Sequence, residues 1–258
     1  MAPQIPAITL AAIPGIPAIR AGDDLARILG DAVEAAGLSP RRGDVLVVTH
    51  KVVSKAEGRS VALADVTPSP RARELAAVTG KDPRLVEVIL SESREVLRVR
   101  PGLIITEHRL GMVIANAGVD QSNVPQDNDA PRVLLLPKDP DASSAALRAV
   151  LQERFGAALA VIVSDSVGRA WRNGVVGLAL GAAGLPALLD LRGRRDLEGR
   201  ALQVTQVGLA DEIASAAELL MGEADEGRPA VLVRGLAWHG PELPAAALIR
   251  ERQADLFR

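Results

Sequence analysis

Two short stretches of this sequence gather oxygen-bearing side chains at the end of an apolar run, and both could hold a hard cation. The first is Ser164, Asp165 and Ser166, which follow the apolar residues 159–163. A carboxylate and a hydroxyl there offer oxygen ligands to Mg²⁺ or Mn²⁺. Arg169 and Arg172 come close behind, and guanidinium forks suit phosphate or carboxylate groups. The second stretch runs over 116–123 and holds Asn116, Asp120, Ser122 and Asn123. Asp120 could ligate a metal, and Asn123 could bind a nucleotide or phosphate. Taken singly, the first stretch also fits a polar turn that caps the next element, and the second an Asx-rich turn. Taken together they favour metal binding, because a two-metal site needs carboxylates from separate segments.

A third candidate lies at the end of the expected strand 44–49, where Thr49, Lys51, Ser54 and Lys55 could cradle phosphate. The glycines lack Walker A spacing, which excludes a P-loop. A basic edge strand with solvated lysines fits the same spacing equally well. Gln206 could supply one more neutral oxygen, and the backbone amides where a helix begins after it would form an anion site. His50, His108 and His239 have no metal-ligand spacing, and no Ser-His-Asp arrangement is supported.

Composition narrows the classes. The chain has 258 residues, 48% hydrophobic and 24% charged, which suits a soluble globular protein with a large core. Aromatics are 2% and Tyr is absent, so the core must come from Ala, Leu, Val and Ile, and few rings remain to stack on bases. A formal net charge of −2 argues against nucleic acid or a membrane surface as a partner. There is no Cys, which excludes disulfides, thiolate metal sites and thiol nucleophiles. The apolar start is broken by prolines and lacks a basic region, so neither a signal peptide nor a membrane span is expected. The cytoplasm is the expected compartment.

The elements that must position these groups can be read from pattern. Strands are expected over 8–13, 44–49, 95–100, 103–106, 111–114, 133–136, 159–163, 188–191, 201–207 and 230–234. Helices are expected after Asp23 and Asp24 up to Gly37, from 68–70 to Gly80, after Asp82 and Pro83, from Asp141 and Ser143 to Gly156, and over 213–221. The Gly-rich stretch 174–184 reads as a tightly packed helix or turn, its glycines otherwise allowing close approach to a ligand or a second subunit. Residues 124–131 read as a connection, and 242–258 as an amphipathic helix. Strands crowded between 95 and 114 without helices argue for antiparallel pairing. The expected class is α+β, with mixed, largely antiparallel sheets, helices and a two-lobed subunit, as one unit over 1–258 without a clear linker.

Five motifs in order, at 49–58, 105–111, 117–124, 164–174 and 210–214, resemble the coenzyme F420-0:L-glutamate (γ-glutamyl) ligase family in its stand-alone form. The resemblance covers roughly residues 13–235. It implies an enzyme that uses GTP to join L-glutamate to the lactyl carboxylate of the deazaflavin precursor F420-0. It also implies two divalent cations (Mg²⁺ or Mn²⁺), a monovalent cation (K⁺) and a homodimer. Carried over by position, the metal ligands would be Asp120, Asp165, Ser166 and Gln206. The GTP contacts would be Ile16, Pro17, Ala18, Ile19, Lys55, Asn123, and Val204, Thr205, Gln206, Val207, Gly208, Leu209, Ala210 and Asp211. His50 stands at a further nucleotide position, where relatives carry Ser. Asp120, Asp165 and Lys55 would carry the catalysis, and Arg169 and Arg172 would hold the anionic substrate. A GTP- and metal-binding regulatory protein and a metal-dependent phosphohydrolase are the alternatives.

Overall fold

Local rules set most of the elements in this computed structural model, which describes residues 5–124 and 131–256. Strand β1 (Thr9–Ala12) leads through a Pro/Gly turn to helix α1 (Leu25–Ala35), which Asp24 caps by accepting a hydrogen bond from the Arg27 amide. Strand β2 (Val45–Thr49), apolar up to its last residue, passes directly into α2 (His50–Ala56). After β3 (Ser60–Ala62) come α3 (Pro70–Thr79) and α4 (Pro83–Ser91), capped by Ser69 and Asp82. Each has Pro in its first turn, where a missing N–H costs nothing. Then follow β4 (Ser93–Arg100), β5 (Leu103–His108) and β6 (Val113–Ala115). The second half runs β7 (Arg132–Leu134), α5 (Pro140–Phe155), β8 (Ala160–Arg169), β9 (Arg172–Ala183), β10 (Leu189–Asp190), β11 (Gln206–Val207), α6 (Leu209–Met221) and β12 (Ala230–Arg234).

The main sheet has the order β1-β12-β2-β8-β9, and only β2 and β8 run parallel. One face packs under α1 and α5 around Leu29, Leu151, Val161 and Val163. The other packs under α6 around Val47, Ile162, Ile213 and Val231. Each such aliphatic side chain contributes about 1.5–3 kcal/mol when fully buried. A separate antiparallel sheet, β4-β5-β6, is covered by α3 and α4 through Leu75, Ile89 and Ile104. Strands β3 and β7 pair next to it. The fold is therefore α+β, with the antiparallel pairing expected over 95–114. No helix among the described residues is long and apolar enough to cross a membrane.

Several expectations give way. The strand before Asp165 does not stop there: β8 continues to Arg169 and forms a long hairpin with β9, with a register shift between Val163 and Ser164. Asp165 and Ser166 therefore sit on a strand, not on a loop. The Gly-rich stretch is strand β9, not a helix or turn. Its glycines serve internal packing, since a Cβ on Gly177 would lie 2.6 Å from the Ala214 oxygen and one on Gly181 2.1 Å from the Pro140 oxygen. The lysines after Thr49 lie on a helix beside a central strand, which removes the edge-strand alternative. Only Gln206 and Val207 of 201–207 are strand, and α6 starts at Leu209, earlier than expected. Helix α5 is capped by Asp139 instead of Asp141.

The described part of 242–258 is not a helix but holds two single 3-10 turns (Ala245–Leu248 and Arg252–Ala254). Asp141 explains the first. Its carboxylate accepts from the amides of Ala182 on the outer strand β9 and of Ala245 and Ala246 in the tail. Amides held this way start a turn, which ends at Leu248 because Ile249 is extended. Most of the expected connection at 124–131 lies outside the described residues.

Candidate functional site

The parallel pair at the centre of the sheet builds the site. Register puts Thr49 beside Ser164, so His50 and Asp165 emerge together where β2 ends and β8 runs on beyond it. Open sheets bind ligands at such ends. A cleft of about 370 Å³ opens there, lined among others by Thr49, Lys51, Lys55, Asn123, Asp165, Ser166 and Glu218.

Helix α2 supplies the cations. Lys51 and Lys55 are four residues apart and so share one helix face. Lys55 Nζ donates to the Asn123 carbonyl at 2.7 Å. Lys51 Nζ lies 2.8 Å from Asp120 Oδ2 and 2.6 Å from Ser122 Oγ. Burial pushes the Lys55 ammonium below its usual range, and the Lys51 charge adds to this.

The loop after β6 supplies Asp120 and Asn123. It opens with Asn116 (φ 51°), Ala117 (φ 53°) and Gly118 (φ 65°), three successive residues in the left-handed region, and Asn123 (φ 54°) ends it. Strain of this kind gathers where a site needs a fixed geometry. Ser122 donates to Asp120 through both its amide (2.7 Å) and its hydroxyl (2.8 Å). Burial raises the Asp120 carboxyl, but the Lys51 ammonium and the Ser122 donors together outweigh it and hold the group below the usual carboxylate range.

Strand β8 supplies Asp165. Its Oδ1 accepts from the Ser166 amide at 2.9 Å and lies 3.3 Å from His50 Nε2. The other His50 nitrogen lies 3.3 Å from Ser54 Oγ. His50 is 1% exposed and does not line the cleft. It stands behind Asp165, where the resemblance would lead one to expect a nucleotide contact.

The fourth wall comes from the carboxyl end of α6 and the Gly/acid-rich segment after it, residues 221–229, which the sequence reading missed. Glu218 is pushed up to about 7 by burial first, then by the neighbouring Glu223 and Asp165 carboxylates. Its Oε2 is buried without a hydrogen-bond partner among the described residues. A legible signal existed: Glu218 is four residues from the buried Ala214 and one turn before the buried Met221, so it falls on the apolar face of its helix.

The structure thus gathers Ile16, Pro17, Ala18, Ile19, Lys55, Asn123, Asp165 and Ser166 at one cleft, with Asp120 held just behind Lys51. It does not bring Gln206 there. Gln206 is exposed on β11, pairs with Asp190, and hydrogen-bonds that carboxylate. Val204, Thr205, Val207, Gly208, Leu209, Ala210 and Asp211 stay with it around the start of α6, away from the cleft lining. Two acids, Asp211 and Glu212, occupy the first turn of that helix, which opposes the expected anion site. Arg169 and Arg172 lie at the exposed tip of the β8–β9 hairpin, flanking Trp171.

No three His, Asp or Glu side chains among the described residues form a ready-made metal cage. The oxygen donors nevertheless fit Mg²⁺ or Mn²⁺. Mg²⁺ sites typically use one or two carboxylates plus substrate phosphates rather than an all-protein cage, and the orphaned Glu218 oxygen next to Asp165 and Ser166 is a donor without a partner.

Comparison with known proteins shows the family. The profile of the F420-0:Gamma-glutamyl ligase family matches residues 15–235. The chain is 49% identical over 259 residues to the coenzyme F420:L-glutamate ligase of Methanopyrus kandleri, covering 98% of this chain and 99% of that one. It is 46% identical over 253 residues to the protein of that name from Methanothermobacter thermautotrophicus, with 97% and 99% covered. With the Halorubrum lacusprofundi protein, again so named, it shares 46% over 231 residues, covering 87% and 86%.

Proposed function

The chain belongs to the F420-0:gamma-glutamyl ligase family, and on that footing we propose that it joins L-glutamate to the lactyl carboxylate of coenzyme F420-0, using GTP. The observation that carries this is the convergence of Lys55, Asn123, Asp165, Ser166 and Glu218 from four separate segments on one cleft.

An amide does not form from a carboxylate and an amine until one carboxylate oxygen becomes a leaving group. In this reading the carboxylate attacks the γ-phosphorus of GTP, GDP leaves, and an acyl phosphate results. The glutamate α-amine then attacks the acyl carbon, phosphate departs with the oxygen, and the amine gives up its proton. Such transfers are catalysed mainly by positioning and charge neutralisation. Lys55 and Lys51 supply positive charge at the mouth of the cleft. The strained loop fixes Asp120 and Asn123, and His50 fixes Asp165. Residues 16–19 wall the nucleotide on its apolar side. Asp120, Asp165, Ser166 and Glu218 would hold the divalent cations, with Gln206 a ligand only if the site draws on a second copy. Bound there, Mg²⁺ or Mn²⁺ neutralises phosphate charge.

The reading extends to K⁺ as a monovalent activator, to further γ-linked glutamates, and to a cytoplasmic homodimer of one catalytic unit. Leu197 and Val204, 104% and 85% exposed, and Trp171 at 88% are apolar groups that a homodimer would cover.

The test is an incubation with GTP, Mn²⁺ or Mg²⁺, L-glutamate and F420-0, followed by mass spectrometry. The expected result is a GTP-dependent gain of one or more glutamyl masses. Phosphate release without that gain would favour a phosphohydrolase, and bound GTP without turnover a regulatory protein.

A further inference from the structure

We propose that a second, larger cavity adjoining the carboxylate cleft seats the deazaflavin ring of the acceptor, so that ring and reacting carboxylate occupy two joined chambers. This rests on the ligase reading above, and it assigns the part of the substrate that takes no part in bond making.

The cavity measures about 530 Å³, within the usual range for a small-molecule site. It lies between the turn joining β5 to β6, the outer strand β9 and the tail. Its walls are aliphatic, with Leu110, Met112, Ile114, Leu180, Leu248 and Ile249. Flat faces of this kind suit a planar heteroaromatic ring, and they need no aromatic partner in a chain that has almost none.

The position is what assigns the occupant. Leu178 lines the cavity, and Leu178 is the direct cross-strand partner of Asp165, which lines the cleft. Cα atoms of such partners lie about 4.5–5.5 Å apart. Val167 lines the cavity one residue after Ser166. Helix α6 gives Glu218 to the cleft and Asp211 to the cavity, seven residues or about 10 Å along its axis. A ring in the cavity thus lies one side-chain layer from the candidate reaction centre, and the chain that joins ring to carboxylate has that gap to cross.

The polar lining is mixed: Lys138 and Arg250 stand with Asp139, Asp141, Asp211 and Asp255, which offers donors and acceptors to the polar edge of a ring and not a net positive charge. Asp211 faces it from α6, anchored by the Ala179 amide at 2.9 Å. Burial holds that carboxyl above its ordinary range, as suits a group that meets the heteroatom edge of a ring in place of water.

The test uses the full chain and two ligands, F420-0 and the deazaflavin chromophore that carries only its ribityl chain and no lactyl carboxylate. Met112→Trp should fill the cavity and Leu248→Ala should enlarge it. The expected result for Met112→Trp is a KM for F420-0 raised about tenfold or more, with loss of the fluorescence quenching that reports chromophore binding. GTP binding, titrated without F420-0, should keep its wild-type value. Circular dichroism checks the fold, and Leu248→Ala, with the same two readouts weakened, serves if Met112→Trp does not fold. Unchanged KM for F420-0 and unchanged chromophore binding in folded variants would place the ring elsewhere while leaving the ligase reading intact. Failure of the wild-type chain to glutamylate F420-0 at all would remove that reading and this one with it.

Discussion

Two buried histidines in this chain stand beside carboxylates, and their settings are opposite. His108, on β5, has Nε2 3.6 Å from Glu92. Glu92 is also held by Arg59 at 2.9 Å and Arg109 at 3.0 Å. Burial alone would raise its pKa, but His108 and the two guanidiniums outweigh that and lower it. Charge in this cluster is balanced from within. His50 similarly touches Asp165 at 3.3 Å, yet no Lys or Arg pairs with Asp165 among the described residues. Its acidic neighbours are Glu218 and Glu223, and their shared repulsion shows in the raised Glu218. A closed, neutralised cluster ties elements together. An open one with surplus negative charge draws its counter-charge from a ligand.

The sharpest way to break this contrast is to neutralise one acid in each cluster. Asp165→Asn should lose roughly 10²-fold or more in turnover with little change in melting temperature. Glu92→Gln should do the reverse, retaining turnover but melting earlier. If both variants lost turnover equally, the distinction would fall. Next in size, Glu218→Gln should weaken Mn²⁺ binding in the presence of GTP by about 10-fold or more in calorimetric titration. Wild-type affinity would remove Glu218 from the ligand set. His50→Ala should weaken the same Mn²⁺ affinity by up to about 10-fold, as loss of an orienting partner does, whereas His108→Ala should leave it unchanged.

The smallest effect concerns acid. The folded-state pKa of Glu92 is lowered, so its stabilisation is fully present above the unfolded value of about 4.3 and is lost as pH falls through the folded value. Urea unfolding across that window should show a flatter acid limb in Glu92→Gln than in wild type. Parallel limbs would mean that the network adds nothing at neutral pH.

Local signals made much of the fold legible. Asp24, Ser69 and Asp82 announced their helices, and the alternation over 95–114 announced antiparallel strands. Where pattern failed, long-range contact had overridden it. β8 keeps its ladder through three polar residues, with a register shift at Ser164, which is buried, and with Asp165 and Ser166 lining the cleft. β9 reads like a packed helix or turn because two helices press on its glycines. In the site, the strand-end acids and the two lysines stood out by type and spacing. Glu218 did not, because an acid on a helix ordinarily signals a solvated face. Gln206 was expected to supply an oxygen, by its type and by the resemblance, and its amide is engaged with Asp190 instead.

The grip of Asp141 on Ala182, Ala245 and Ala246, joined by that of Asp211 on Ala179, has a bearing on assembly. Outer strands with free amides invite another chain to lengthen the sheet. Here two carboxylates occupy donors of β9, and one of them also fastens the tail across that border. The β9 border is thereby shut to strand addition, so a second copy could not lengthen the sheet on that side, and cutting the chain before Ala245 would reopen a route to aggregation there.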